Sequence, residues 1–314
     1  MLQLVYLYFT NIAKDQKSYD NLMQTAEVSL KNRLLQPENV FSDSLSATLM
    51  NHNPRNLPMK AEDLAKVDYD RILQMAKEQT ANAAAFTFTI IGNYDEATIR
   101  PLIEQYLASL PSQKNVVKTP DVSSNYKGQV INNFKHKAET PKAIALMHWL
   151  SHQMPYSLEN SIKASIAGQI LSMEYLKKIR EDASAAYTVM AQAAVNRNDF
   201  KTSTQILAYC PMKPEKGDTA VMILRDEVNT LAKTCDADKL QKVKEYMLKN
   251  HGDELKQNGY WLSCINEWRK WGIDFHTDYE KVVNAQTPES ISAFVAELLK
   301  AGNHAEVIMM PAEE

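Results

Sequence analysis

Apolar positions along residues 1–80 recur at helical spacing. Leu2, Val5, Phe9 and Ile12 form one stripe, and Leu22, Ala26, Leu30 and Leu34 form a second. Pro37 ends that helix, a shorter one carries Val40, Phe41 and Leu45, and Asn51-His-Asn-Pro-Arg55 reads as a loop. Tyr69, Ile72, Leu73 and Ala76 give a further helical face. The period then changes. Ala85-Phe-Thr-Phe-Thr-Ile-Ile91 alternates and is rich in β-formers, which predicts a strand. Gly92-Asn93 turns it, Asp95 caps a helix with Ile99, Leu102, Ile103, Tyr106 and Leu110 on one face, and Pro111 closes that helix.

The polar stretch 113–125, which contains Pro120, has the composition of a linker. Beyond it, Gln129 to Lys135 and Ala143 to Trp149 read as strands. Ser157 opens a long helix through Ile162, Ile166, Ile170, Met173 and Ile179. Ala185 to Val195 and Lys201 to Tyr209 form a hairpin around Asn196-Arg-Asn-Asp199, whose residues suit a tight turn. Thr219 to Lys300 is helical again, and Ala305 to Met310 is a last strand.

The two helical stretches match at an offset of about 219 residues. Leu2, Val5, Phe9 and Ile12 fall on Val221, Leu224, Val228 and Leu231. A residue of slippage sets Leu22–Asn32 on Leu240–Asn250, and Val40-Phe41 falls on Tyr260-Trp261. Thr87–Ile91 falls on Glu306–Met310. The later copy has strands, a helix and a hairpin ahead of it; the earlier one starts at residue 1. The expected organisation is therefore the second half of a truncated domain at 1–112, a linker at 113–125 and a complete domain at 126–314. A half domain leaves its strand short of ladder partners, so it should recruit a partner by swapping or dimerising, or be less stable.

Composition narrows the chemistry. The 314 residues carry a formal charge of −3 with a pI near 6.2, which argues against nucleic acid or a polybasic membrane contact. The eight glycines are never closer than seven residues, which excludes phosphate loops, dinucleotide fingerprints and the G-x-S-x-G elbow. Cys210, Cys235 and Cys264 have no metal-ligand spacing. With neither a signal peptide nor an apolar run long enough to span a bilayer, the chain reads as soluble, its compartment open.

No catalytic constellation stands out. His148-Trp-Leu-Ser-His152 has the spacing of a zinc helix without its glutamate. It also sits at a strand end, where four residues span about 13 Å, too far for one shared ion. Tyr260-Trp261 with Trp268 and Trp271 reads as an aromatic core stripe. Arg180 and Tyr187 flank the passage from the long helix into the hairpin. On residue type alone they are a cation at a helix C-terminus and a sheet aromatic.

Several segments together resemble the insulysin/pitrilysin-type (inverted zincin) zinc metallopeptidases. They are Phe86-Thr-Phe-Thr-Ile-Ile-Gly-Asn93 with Tyr106-Leu-Ala-Ser-Leu-Pro111, Ile179-Arg-Glu-Asp-Ala-Ser-Ala-Ala-Tyr-Thr-Val189, and Tyr260-Trp261. The resemblance implies homologous α+β domains, each a mainly antiparallel sheet backed by helices, in two halves around a chamber. It implies that Arg180 and Tyr187 bind the peptide substrate from the C-terminal half. H-x-x-E-H is missing here, so no catalytic residue or zinc ligand carries over; zinc is expected in an absent N-terminal catalytic half. The resulting expectation is the substrate-binding, chamber-closing portion of a zinc metalloendopeptidase, not catalytic alone. Its partners would be the catalytic half or a partner subunit, and peptide. The alternative is a non-catalytic subunit or scaffold of the same fold.

Overall fold

A computed structural model describes residues 1–113 and 118–312; part of the expected linker, 114–117, lies outside the described residues. The helices are Leu2–Thr10 (α1), Gln16–Arg33 (α2), Pro37–Leu49 (α3), Tyr69–Thr80 (α4), Glu96–Tyr106 (α5), Leu158–Tyr175 (α6), Gly217–Leu231 (α7), Ala237–Glu254 (α8), Asn258–Trp271 (α9), Tyr279–Asn284 (α10) and Pro288–Lys300 (α11). The strands are Gln129–His136 (β1), Ala143–Ser151 (β2), Met190–Arg197 (β3), Thr202–Met212 (β4) and Asn303–Pro311 (β5). At the 219-residue offset, α4 falls on α11 and residues 86–91 fall within β5.

Contacts divide the chain into two units. The first is Met1–Leu34 with Pro58–Asp121, and the second is Leu35–Leu57 with Val122–Glu314. In the first unit the helices start where short polar side chains take orphan amides: Asp15 accepts from Ser18 N, Asp68 from Arg71 N and Asp95 from Thr98 N. Ring contacts hold it together, with Tyr19 stacked on Tyr69 at 4.3 Å and Phe9 edge-on to Phe86 at 4.8 Å. None of its helices has a fully buried residue, and Leu110 is its buried hydrophobic among the described residues. The strand expected at 85–91 does not form. Phe86 is extended, but the segment joins no ladder among the described residues, because no strand lies alongside to complete one.

The second unit is built on a five-stranded sheet of order β1-β5-β2-β4-β3. β1 and β5 run parallel and the other neighbours antiparallel, as in Ile144 opposite Met309 and Ala145 opposite Cys210. β2 is buried at every residue, which explains its unbroken apolar run: both faces are covered. On one face Ala145, Met147 and Trp149 meet α6, α7 and α11 through Ile166, Leu224 and Val295. On the other, Ile144, Leu146, Val307 and Met309 pack on Phe41 and Leu45 of α3. Each large apolar side chain sealed this way contributes about 1.5–3 kcal/mol.

In this packing α3 joins the sheet unit because Phe41 needs that apolar face. Polar contacts fix its seat: Asn132 Nδ2 donates to Ser44 Oγ at 2.9 Å and Thr48 Oγ1 at 2.8 Å, and Lys142 pairs with Glu38. Pro37, expected as a stop, is the first residue of α3, where its missing amide is tolerated.

The hairpin is shorter than expected at its start. Strand β3 begins at Met190, and ahead of it Ala186 pairs with Met212 in a single bridge. Its turn is held by Asn198 Oδ1, which accepts from Phe200 N and Lys201 N. β3 lies against α6, where a Cβ on Gly168 would sit 2.7 Å from Ala193 N. Ser172 Oγ both donates to Ala191 O and accepts from Ala191 N, at 2.9 Å each.

Two outcomes follow from this packing. Gly168→Ala forces backbone apart and should cost about 1–3 kcal/mol, read as a lowered melting temperature; an unchanged melt would mean that the helix–strand contact gives freely. Amides of α1 and α5 should exchange with deuterium well before those of β2 and α6, since the first unit buries so little. Equal protection in a monomer would contradict that account.

Candidate functional site

The passage from α6 to β3 changes helical period. α6 continues as a π-helical stretch, Leu176–Asp182, a geometry that local packing must support and that recurs at functional sites. Ile179 is fully buried in the core, so the neighbouring Arg180 is turned out to solvent. The chain then closes tightly. Ala183 N donates to Lys178 O at 3.0 Å and Ala185 N to Ile179 O at 2.8 Å, with Ser184 between them in the left-handed region at φ 50°. For a residue other than glycine that conformation is strained, and the flanking bonds hold it.

Downstream the turn is tied to the end of β4. Lys213 N donates to Ala185 O at 2.8 Å, and Lys216 Nζ to Ala183 O at 2.5 Å. Ala185 and Ala186 are buried. Tyr187, the next residue, is 80% exposed. The Arg180 guanidinium lies over its ring, 5.2 Å from the centroid, within the range of a cation–π contact. The fold therefore brings the two predicted site residues together on one open surface.

The inner side of the turn is anchored by residues that sequence reading passed over. Tyr175 is buried and donates to Leu224 O at 2.9 Å; burial, with the Glu227 carboxylate adding, holds its phenol well above the ordinary value, so it remains a donor. Lys178 Nζ reaches the buried Glu227 at 2.6 Å, and Glu174 pairs with Lys239 beside it. Spacing offered only the i,i+4 relation of Glu174 and Lys178, a common surface motif.

The remaining candidates separate. His148 is buried between Tyr126, whose Oη is 3.0 Å from Nδ1, and Gln205, whose Oε1 is 3.1 Å from Nε2. Burial lowers its pKa and keeps it neutral. His152 is exposed, with Nδ1 2.8 Å from Thr202 O. The aromatic stripe of α9 is not core: the helix has no buried residue, and Trp268 is 60% exposed. Trp271 is instead engaged by cations, with Arg197 4.2 Å from its ring centroid. Trp261 and Trp271 are half-buried, Trp261 against Tyr260 and His276, so the stripe lies at the edge of the core and not in it.

The family described as the peptidase M16 inactive domain matches residues 66–247, more than half of the chain. The chain belongs to that family. A relative from Arabidopsis thaliana, described as zinc protease PQQL-like, is 22% identical over 286 residues, covering 84% of this chain and 29% of the relative. The periplasmic protease PqqL from Escherichia coli superposes with a TM-score of 0.82 at 18% identity, over 99% of this chain and 34% of that one. The first half of the same protease superposes with a TM-score of 0.70 at 17% identity, over 99% of this chain and 70% of that one. The chain spans about a third of the length of the plant relative and of full PqqL.

Such relatives raise the question of zinc. Among the described residues no three His, Cys, Asp or Glu side chains converge, and His148 and His152 face different partners. These residues do not fit a zinc ion. Also among the described residues, no helix is long and apolar enough to cross a membrane.

The anchor beneath Arg180 can be tested directly. Lys178→Met leaves the buried Glu227 without its cation and should lower stability by about 1–3 kcal/mol in urea unfolding. An unchanged midpoint would remove the pair from the anchoring scheme.

Proposed function

We propose that this chain is the C-terminal, substrate-binding and chamber-closing portion of a zinc metalloendopeptidase, and that Arg180 and Tyr187 contact the peptide. One observation carries this reading: two hydrogen-bond donors stand side by side, open to solvent, on a turn whose flanks are buried and bonded. Donors held in place before the substrate arrives lose little freedom on binding, which is what stabilising charge on a scissile carbonyl requires. A turn needed only for connection would not have to present both groups outward.

On this reading zinc and the general base belong to polypeptide outside this chain, in the N-terminal catalytic half or a partner subunit. Residues 126–314 with the borrowed α3 make up the complete domain. The thinly buried first unit takes its cover from that half or from a second copy by swapping or dimerising. The chain alone does not hydrolyse peptides.

The test is kinetic and uses the assembled enzyme. Arg180→Ala and Tyr187→Phe should each lower kcat by about 10²–10³ if the side chain donates to the developing oxyanion. Near-normal turnover in both variants would refute the assignment and favour a scaffold of the same fold with no peptidase role.

A further inference from the structure

A second site lies among α6, α8, α9 and the segment that follows α9. Tyr156, Tyr260, Phe275 and Tyr279 line a cavity of about 280 Å³, with Leu158, Ile162 and Met247 completing apolar walls. The rings of Tyr156 and Phe275 are 5.4 Å apart and tilted by 39°. Tyr279 is held from behind by buried His251, stacked at 4.1 Å, and Tyr260 Oη lies 2.9 Å from His276 Nδ1. The walls are therefore braced by their own contacts.

A carboxylate enters this apolar space. Glu267 stands in the lining, and Tyr156 Oη donates to its Oε2 at 2.7 Å, which leaves Oε1 as a second acceptor. Glu267 is the charged residue of the lining; Glu254 and Asp274 lie farther out. Burial first, and then Glu254, pushes the Tyr279 phenol up to about 12.

These features select a class of ligand. Aromatic faces and a carboxylate attract a cation, and apolar walls accept the methylene stem that carries it. An anion meets the Glu267 carboxylate, and a purely apolar group leaves its second oxygen unsatisfied. We infer that this cavity binds the side chain of a lysine or arginine from another polypeptide. The site is separate from Arg180 and Tyr187 and does not depend on their role.

Cys264 lines the cavity and is part-exposed, whereas Cys210 and Cys235 are buried, so its alkylation rate reports occupancy. Nα-acetyl-lysine amide and Nα-acetyl-arginine amide should slow that alkylation saturably, while the uncharged norleucine analogue binds at least about tenfold more weakly. Glu267→Gln should remove most of the difference between lysine and norleucine. Phe275→Leu, which keeps the charge, should weaken lysine as well. Equal protection by norleucine, or none by the cationic compounds, would overturn the assignment. Choline protecting better than blocked lysine would overturn it too, by moving the site to small ammonium compounds.

Discussion

Ala143–Ser151 is buried from end to end, so the middle of the sheet must be covered on both sides, and the chain finds its two covers far apart in sequence. One comes from α6, α7 and α11, which follow β2. The other is α3, about a hundred residues earlier, lying between two parts of the first unit. Hydrophobic burial sets this arrangement, and the Asn132 and Lys142 contacts fix where α3 rests. Beyond these covers α8 and α10 pack on α6 and form an outer layer.

The Arg180 turn depends on the same core. Ile179, Ala185 and Ala186 are buried on either side of it, so the exposed residues have little freedom to relax inward. The π-helical stretch lets Lys178 reach Glu227 while Arg180 faces solvent. The buried Glu306 on β5 is met in the same manner by Arg225 of α7, which takes both carboxylate oxygens. In each case a charged residue of the core is matched from a helix, and breaking such a match costs more than forming it gains.

Legibility in the sequence followed the range of the interactions. β2, α6 and β4 could be read because a buried strand is continuously apolar and a core helix keeps its 3.6-residue stripe. The ladder of residues 86–91 could not be judged, since alternation reports propensity and says nothing of whether a neighbour is present. Likewise, α3 has an ordinary amphipathic pattern that does not reveal which sheet it will cover. Arg180 and Tyr187 were found through family resemblance; their residue types alone describe a helix end and a sheet aromatic. Their proximity became visible only with the left-handed Ser184 that brings the chain back on itself. The α9 tryptophans show the converse error, in which a regular stripe was read as core although Trp268 is exposed and Trp261 and Trp271 are only half-buried.

Lending α3 to the sheet has a topological result. The backbone passes between the two units at 34/35, at 57/58 and again at 121/122. A protease nick in the polar stretch after Pro111 would sever one of those passages and leave two intact. α3 would then be held on the sheet by its packing alone, and removing everything before the nick would strip the sheet of one of its faces.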